Sequence, residues 1–480
     1  MAVILRVMGV LMMLFSLTLV PPVIVSLIVG DGEVLTFLYA MLVIAGGGLL
    51  LWLPFRDQKR DLRARDGFVV VTMFWLVLAG SGAVPLVFGL SPHMSVADAF
   101  FESMSGLTTT GATVLSAIDA LPPSVLYYRQ QLNWLGGMGI VVLAVAVLPM
   151  LGIGGMQLYR AETPGPEKDA KLTPRIGETA KALWAIYAAL TLACALAFWA
   201  GGMSLFDAIG HSFSVLATGG FSPHSASMGY YDRPLLDWIG TVFMYLAAVN
   251  FALHFAVWRG RDLSAFRRDP EFRFYTGLVL VATAGVSALL YFGGRYGLAD
   301  AFRHGAFQVM TFSSNTGLVT TDYYDWSGML PALLMFISII GGSAGSTAGG
   351  IKAIRFLMLL KQGYRELLRL VHPRGHFDVK LGERVVDERI TSAVWGFFAT
   401  YMAVFGIAML LLMQDGVDQV TAFSAVVACI NNLGIAFGDV ASGFADLSTW
   451  AKWLLSLVML MGRLEIFTVL VLLTPAFWKV

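Results

Sequence analysis

Apolar runs of the roughly 20 residues that a membrane-spanning helix needs alternate along this sequence with short basic or glycine-rich breaks. Ten such runs occur, at Val3 to Val29, Val34 to Phe55, Gly67 to Leu90, Leu132 to Ile153, Leu183 to Ala200, Leu235 to Trp258, Tyr275 to Phe292, Met329 to Leu360, Ile390 to Met413 and Trp450 to Thr474. Four more apolar segments, Val96 to Thr109, Leu205 to Thr218, Leu298 to Asn315 and Val417 to Asn432, are too short and too punctuated to cross. Their length suits re-entrant helices, which are tolerated where protein or a water-filled cavity surrounds the irregular backbone that follows. The pattern predicts an all-α integral membrane protein with two leading helices and four pseudo-symmetric units of helix, pore helix and helix around one central pore. The leading pair occupies residues 1–66, and the units run near 67–181, 182–273, 274–389 and 390–480.

Each short segment ends in a polar island. The first, SMSGLTTTGAT at Ser103 to Thr113, aligns without gaps with SFSVLATGGFS, VMTFSSNTGLV and VVACINNLGIA on one shared glycine: Gly111, Gly220, Gly317 and Gly434. The intervals of 109, 97 and 117 residues are far too long for a solenoid repeat and suit a whole membrane hairpin. Glycine at the shared place lets carbonyls turn inward, and each short helix would aim its negative C-terminal end at the cavity, favouring a cation. Glycine and threonine also serve close helix packing. One copy would not separate the two readings, but four copies at the same place in a hairpin favour the cation.

Composition narrows the class further. Hydrophobic residues make up 57 % of the chain and charged ones 13 %, with a mean hydropathy of +0.74, which excludes an ordinary soluble fold. A net charge of +1 gives no argument for nucleic acid. Cys194 and Cys429 both lie in apolar context, so neither a disulfide framework nor a zinc site is indicated. The run after Arg6 is too long for a signal sequence and is expected to be a retained spanning helix. With the N-terminus inside, the loops Arg56 to Arg65, Arg160 to Lys181, Arg259 to Arg273 and Lys352 to Arg389 hold 5, 5, 5 and 9 Lys or Arg. Arg6 and Lys479 bring the inner total to 26 of 32, a strong positive-inside asymmetry. The outer loops carry Asp119, Asp232, Asp322, Asp325, Asp439 and Asp446, either as ordinary solvated charge or to concentrate cations at a mouth.

Two features interrupt the spans. GGSAGSTAGG, Gly341 to Gly350, places five glycines inside one apolar run, where each costs about 0.5–1 kcal/mol against Ala in a helix, so an unwound loop is expected. Arg463 sits in the middle of the last run and should face a wet cavity or a partner, such as Glu465 from another face or an inner acid. Glu465, two residues on and roughly on the opposite helix side, is expected to be an inter-unit partner and not an ion ligand. Glu102 and His211, nine residues before their glycines, are expected to brace the loops. Asn250 and His254 are one turn apart without a carboxylate or cysteine nearby and are expected to serve packing. Tyr127, Tyr128, Trp326 and Trp450 are expected in the interfacial belt.

The loops TTTGAT, ATGGFS, SSNTGLVTTD and NNLGIAFGD, with GGSAGSTAGGIK and LMGRLEIFT, make the chain similar to the Trk/Ktr superfamily of microbial potassium transporters, over essentially its whole length. The leading helix pair makes it most like the TrkH-type membrane subunits. That resemblance implies gated potassium uptake across the bacterial inner membrane, with the ion as substrate and a selectivity filter at Thr109, Thr110, Gly111, Thr218, Gly219, Gly220, Asn315, Thr316, Gly317, Asn432, Leu433 and Gly434. It also implies a gate at Gly341, Gly342, Gly345, Gly349, Gly350 and Arg463. It implies a homodimer with one pore per protomer and a cytoplasmic ring of TrkA-like subunits binding ATP/ADP or NAD. Serine at the first filter glycine is associated with sodium in the family, and Gly111 argues against that here. The sequence itself carries no Walker loop and no GxGxxG after a strand, so no cofactor is expected in this chain. An intramembrane enzyme would need catalytic pairs that the spans lack, and a scaffold would not need four glycine loops. A cation-coupled symporter of a small solute remains the rival within transport, although such proteins usually repeat as two inverted halves.

Overall fold

In the computed structural model, which describes residues 2–57, 66–89, 93–142, 176–326 and 328–479, the chain is almost wholly helical. The leading pair is made of Ala2–Leu17 with Val20–Val29 and, returning, Val34–Trp52. It crosses closely because glycines meet: a Cβ on Gly9 would lie 2.6 Å from the Gly48 carbonyl oxygen, the small-residue contact that brings membrane helices together.

The order helix, short helix, helix then recurs four times. The short helices are Val96–Leu107, Leu205–Ala217, Leu298–Ser313 and Gln419–Ile430. Three begin with a side-chain cap: Ser95 accepts from the Asp98 N–H, Ser204 from that of Asp207, and Asp418 from those of Val420 and Thr421. Such caps satisfy backbone donors that the first turn leaves open. Acidic residues in the first turn (Asp98, Asp207 and Asp300) add favourable charge at the positive helix end.

Six helices among the described residues are long and apolar enough to cross a membrane, and eight if each bent pair counts as one span. Two of the ten predicted spans depart from a straight course. Pro234–Ala248 and Phe251–Gly260 meet at 92°, and Thr449–Arg463 and Phe467–Leu473 at 117°. At the first bend the Asn250 side chain caps the second piece by accepting from the Ala252 N–H. At the second, Glu465 and Ile466 take φ of +57° and +54°, a costly conformation for non-glycine residues and most of all for a β-branched one. The run Met329 to Leu360 is divided, as expected, into Leu330–Ile340 and a helix Ala353–Val371, separated by the glycine-rich loop. The run Leu132 to Ile153 begins inside Pro123–Val142, and its remainder, with most of the inner loop Arg160 to Lys181, lies outside the described residues. One small exception to the all-helical expectation is an antiparallel pair, Lys380–Leu381 with Arg384–Val385.

Polar contacts tie the repeats together around a ring. Asp119 accepts from His224 at 2.9 Å, Arg303 pairs with Asp237 at 2.6 Å, the Tyr323 hydroxyl donates to the Ala436 carbonyl at 2.6 Å, and Lys452 pairs with Asp98 at 2.7 Å. Hydrogen bonds from Ser225 and His224 hold the Asp119 carboxyl down at about 2. Asp119 and Asp232, which pairs with Arg303, therefore also serve as ties between the repeats. Tyr128 and Trp326 are buried, Tyr128 donating to the Gly82 carbonyl at 2.8 Å. Both belong to the core and not to the interfacial belt expected for them.

The Arg303–Asp237 contact gives a test of this ring. Asp237 is 1 % exposed, so removing its cation leaves a buried, unpaired carboxylate at a cost of about 3–5 kcal/mol. Arg303→Leu is expected to lower the melting temperature in detergent markedly, and the double variant Arg303→Leu, Asp237→Leu to recover much of the loss. Equal melting temperatures for the single variant and the parent would contradict the tie.

Candidate ion-permeation site

Each short helix ends in the same way. Thr109, Thr218, Asn315 and Asn432 take φ of +53°, +52°, +58° and +53°. The following N–H groups, of Thr110, Gly219, Thr316 and Leu433, each reach back to the carbonyl five residues earlier at 2.8 Å. This is the Schellman arrangement, in which a left-handed residue closes the helix and its last carbonyls are satisfied. Glycine usually fills that place. Here threonine and asparagine do, so the conformation is held by surroundings in which all four residues are buried.

The shared glycine follows two residues later, and the four positions have φ of +81°, +80°, +81° and +79°. A Cβ on Gly111 would lie 2.3 Å from the Gly219 oxygen, one on Gly220 2.5 Å from the Thr316 oxygen, one on Gly317 2.2 Å from the Leu433 oxygen, and one on Gly434 2.1 Å from the Thr110 oxygen. The contacts run one way and close on themselves. All twelve residues singled out in the sequence for a filter are thus in one cluster, with the carbonyls just before each glycine packed on the next glycine around the ring. Four helix C-termini converge there, each contributing partial negative charge.

The loops are held from behind at matching places. Glu102 accepts from Thr113 at 2.9 Å and from the Val114 N–H at 3.0 Å, and pairs with the buried Arg129 at 2.8 Å. The Arg129 guanidinium also lies over the Phe221 ring at 4.3 Å. His211 meets the Ser222 hydroxyl at 3.2 Å, and Gln308 donates to the Thr321 carbonyl at 3.5 Å. Glu102, His211 and Gln308 each stand nine residues before their glycine. In the fourth copy that place is Ala425, and the preceding Ser424 donates to the Phe437 carbonyl at 2.6 Å. Asn432 reaches sideways, donating to Thr110 Oγ1 at 3.0 Å.

Asn133 and Gly136 were not singled out in the sequence. A Cβ on Gly136 would lie 1.9 Å from the Leu107 carbonyl oxygen, and one on Gly219 would lie 2.5 Å from the Asn133 side chain. The extra glycine in ATGGFS is therefore required by an amide packed behind the second loop. That doublet, present in one loop only, is the signal that could have pointed to a close neighbour.

Below the ring lies the glycine-rich loop. Gly341, Gly345 and Gly350 have positive φ, and Gly342 and Gly349 have no room for a Cβ, which would lie 2.5 Å from the Ala348 side chain and 1.8 Å from the Asn431 oxygen. The Thr347 hydroxyl donates to the Leu216 carbonyl at 3.0 Å, the Gly350 N–H to the Asn431 carbonyl at 3.2 Å, and the Ser343 N–H to the Ala248 carbonyl at 2.9 Å. Arg463 donates to the Thr347 carbonyl at 3.0 Å, while its Nε and second terminal nitrogen are buried with no hydrogen-bond partner among the described residues. Glu465 is not its partner: it pairs with Arg355 at 2.7 Å, and Arg355 lies over the Phe397 ring at 4.4 Å. All six positions singled out for a gate thus sit together beneath the carbonyl ring. His254 contacts the Leu246 carbonyl at 2.9 Å, which is a packing contact.

A family model for TrkH, described as a cation transport protein, matches residues 33–479. The Trk system potassium uptake protein TrkH of Halomonas elongata is 51 % identical over 480 residues, covering 99 % of both chains. The protein of that name from Escherichia coli is 50 % identical over 475 residues, covering 99 % of this chain and 98 % of its own. The crystal structure of the potassium transporter TrkH from Vibrio parahaemolyticus matches with a TM-score of 0.92 at 48 % identity, covering 100 % of this chain and 99 % of that one. By sequence and by fold, the chain belongs to the TrkH family of cation transport proteins.

Proposed function

We propose that this chain takes up potassium across the cytoplasmic membrane of a bacterium, passing the ion through one narrow filter built from the backbone of four loops. The observation that carries this reading is the closed ring of Thr110, Gly219, Thr316 and Leu433 carbonyls, each seated on the next loop's glycine. A potassium ion gives up water only where fixed oxygens replace it, and four helix C-termini lower the cost of its charge. The names of relatives about half identical over nearly their full length agree. Sites are assigned to the carbonyls at Thr109, Thr110, Thr218, Gly219, Asn315, Thr316, Asn432 and Leu433, with Gly111, Gly220, Gly317 and Gly434 giving the backbone its turn.

Ten membrane passes and four pore helices in four units complete the reading, with the N-terminus inside, as the 26 inner basic residues favour. The loop Gly341 to Gly350 and Arg463 act as the gate: a buried guanidinium with unmet donors opposes a cation directly below the filter and ties the loop in place. Regulation by nucleotide falls to a separate TrkA-like ring, and two copies of the chain assemble with one pore each. Family membership supports both, and the lack of a nucleotide motif in the sequence supports the first. Bent spans also occur in solute symporters, but four loops closing one ring favour a single ion path over a pocket between two halves.

Purified protein in potassium-loaded liposomes should take up rubidium, and uptake should be competed by potassium far better than by sodium. Uptake that sodium competes equally would sink the reading. Gly111→Ser places a side chain against the Gly219 carbonyl at a left-handed φ, a strain of about 1–3 kcal/mol. Potassium over sodium discrimination is expected to fall about tenfold, which corresponds to ~1.4 kcal/mol. Unchanged ion ratios in a folded variant would remove the ring from the permeation path. Arg463→Ala removes a charged hydrogen bond worth about 1.5–3 kcal/mol and should raise rubidium flux about tenfold. Unaltered flux with a lowered melting temperature would leave Arg463 a structural clamp only.

A further inference from the structure

A buried carboxylate outside the filter and the arginine has a use that the pathway described so far does not give it. Glu271 lies in the first turn of the helix Pro270–Phe292 and is 3 % exposed. Its Oε1 accepts from two backbone N–H groups, of Ala344 at 2.7 Å and of Ile354 at 3.2 Å. Ala344 is inside the glycine-rich loop. Ile354 is in the first turn of the helix Ala353–Val371 that follows it, a helix whose own N-cap, Lys352, makes no side-chain cap hydrogen bond. Glu271 therefore does from a neighbouring helix what a capping side chain does locally: it satisfies an open first-turn donor and places negative charge at the positive end. By the same oxygen it holds the loop.

We propose that Glu271 is a positioning residue that latches the glycine-rich loop, fastening both its middle and its exit helix, and so sets how often the loop leaves its place under the filter. The inference rests on the reading of that loop as the gate. A group shifts a conformational equilibrium only by the difference in its contacts between the two states. The Ala344 contact of this oxygen is made to the loop itself, while the Ile354 contact anchors it to the helix where the loop ends. The local backbone indicates where release would begin. Lys352, between the two donors, has φ of +84°, a conformation that a non-glycine residue keeps only when its surroundings hold it. Asp269, two residues before Glu271, is occupied in capping its own helix by accepting from the Phe272 N–H at 2.7 Å and is not placed to substitute.

The test uses the full-length chain in proteoliposomes, with Glu271→Gln, Glu271→Ala and a loop-shortened variant lacking residues 343–345. Each is also made with Ser346→Cys, and labelling by a water-soluble maleimide reports loop exposure. Glutamine keeps the acceptor and loses the charge, and charge-assisted bonds are about twice as strong as neutral ones. Rubidium uptake is expected to rise about threefold for Glu271→Gln and about tenfold for Glu271→Ala, with Ser346→Cys labelled faster in the same order and the potassium to sodium ratio unchanged. Parental uptake and labelling in both variants, beside faster uptake in the loop-shortened one, would overturn the latch and leave the gate standing. Parental uptake in the loop-shortened variant as well would overturn the gate and the latch with it. Should Glu271→Ala fail to yield monodisperse protein, the near-isosteric Glu271→Gln decides by the same two readouts.

Discussion

The contact on which this structure depends is a carbonyl oxygen resting on the Cα of a glycine in the next loop, made four times in one direction. Because the contacts close on themselves, no loop can shift alone. Displacing the Thr110 oxygen disturbs Gly434, whose own loop carries the Leu433 oxygen that fits Gly317, and so on around. The requirement for glycine is double, since each position has a φ near +80° and each lacks space for a Cβ. Everything behind the ring serves to bring four such turns to one level: the caps that start the short helices, the Schellman ends that finish them, and the ties between repeats.

What could be read from the sequence is what repetition and composition record. The four aligned glycines, the short helices before them and the unwound glycine run were legible because each depends on residue type at a spacing that recurs. The bends were not. Val249 with Asn250, and Leu464 through Ile466, contain neither glycine nor proline, and the chain turns there because tertiary contacts outweigh local preference: the Gly345 carbonyl accepts from the Phe251 N–H at the first, and Arg355 holds Glu465 at the second. Partner choice was legible in part. Glu465 pairs across units, with Arg355, as its place on the far side of the helix from Arg463 suggested. The Thr347 carbonyl as the partner of Arg463, by contrast, depends on a loop contact that no local pattern records. Tyr128 and Trp326 misled for a related reason, since a residue near a span end faces lipid headgroups only if no neighbouring element covers it, and Tyr128 is covered by Gly82 and Phe37.

The ring is fourfold in backbone and unequal in side chains, and the inequality has a direction. Nine residues before the glycine the first loop has a buried ion pair, the second and third have polar side chains, and the fourth has alanine beside the donor Ser424. Asn133 packs behind Gly219 of the second loop. Backbone oxygens are what the four loops share, so the carbonyl geometry can be common to them while the stiffness behind each carbonyl differs. The fourth loop is held from its flanks instead, by Asn432 on Thr110 and on the Met459 carbonyl and by Tyr401 on Asn431, and its helix end meets the glycine-rich loop through Gly350 and Asn431.

That last contact couples the two parts. Leu216 and Asn431 belong to the C-terminal ends of the second and fourth short helices, which face one another across the ring, and their carbonyls are among the last that an α-helix leaves without an internal partner. In this structure the glycine-rich loop satisfies both, through the Thr347 hydroxyl and the Gly350 N–H. While it is in place, the loop occupies the negative ends of two short helices with its own donors and is itself held by Arg463 through the Thr347 carbonyl. On the proposed reading of the loop as a gate, its withdrawal would break both hydrogen bonds to those carbonyls and the Arg463 contact together. The same movement that cleared the path would then leave two helix ends, each carrying partial negative charge, facing the space it vacated.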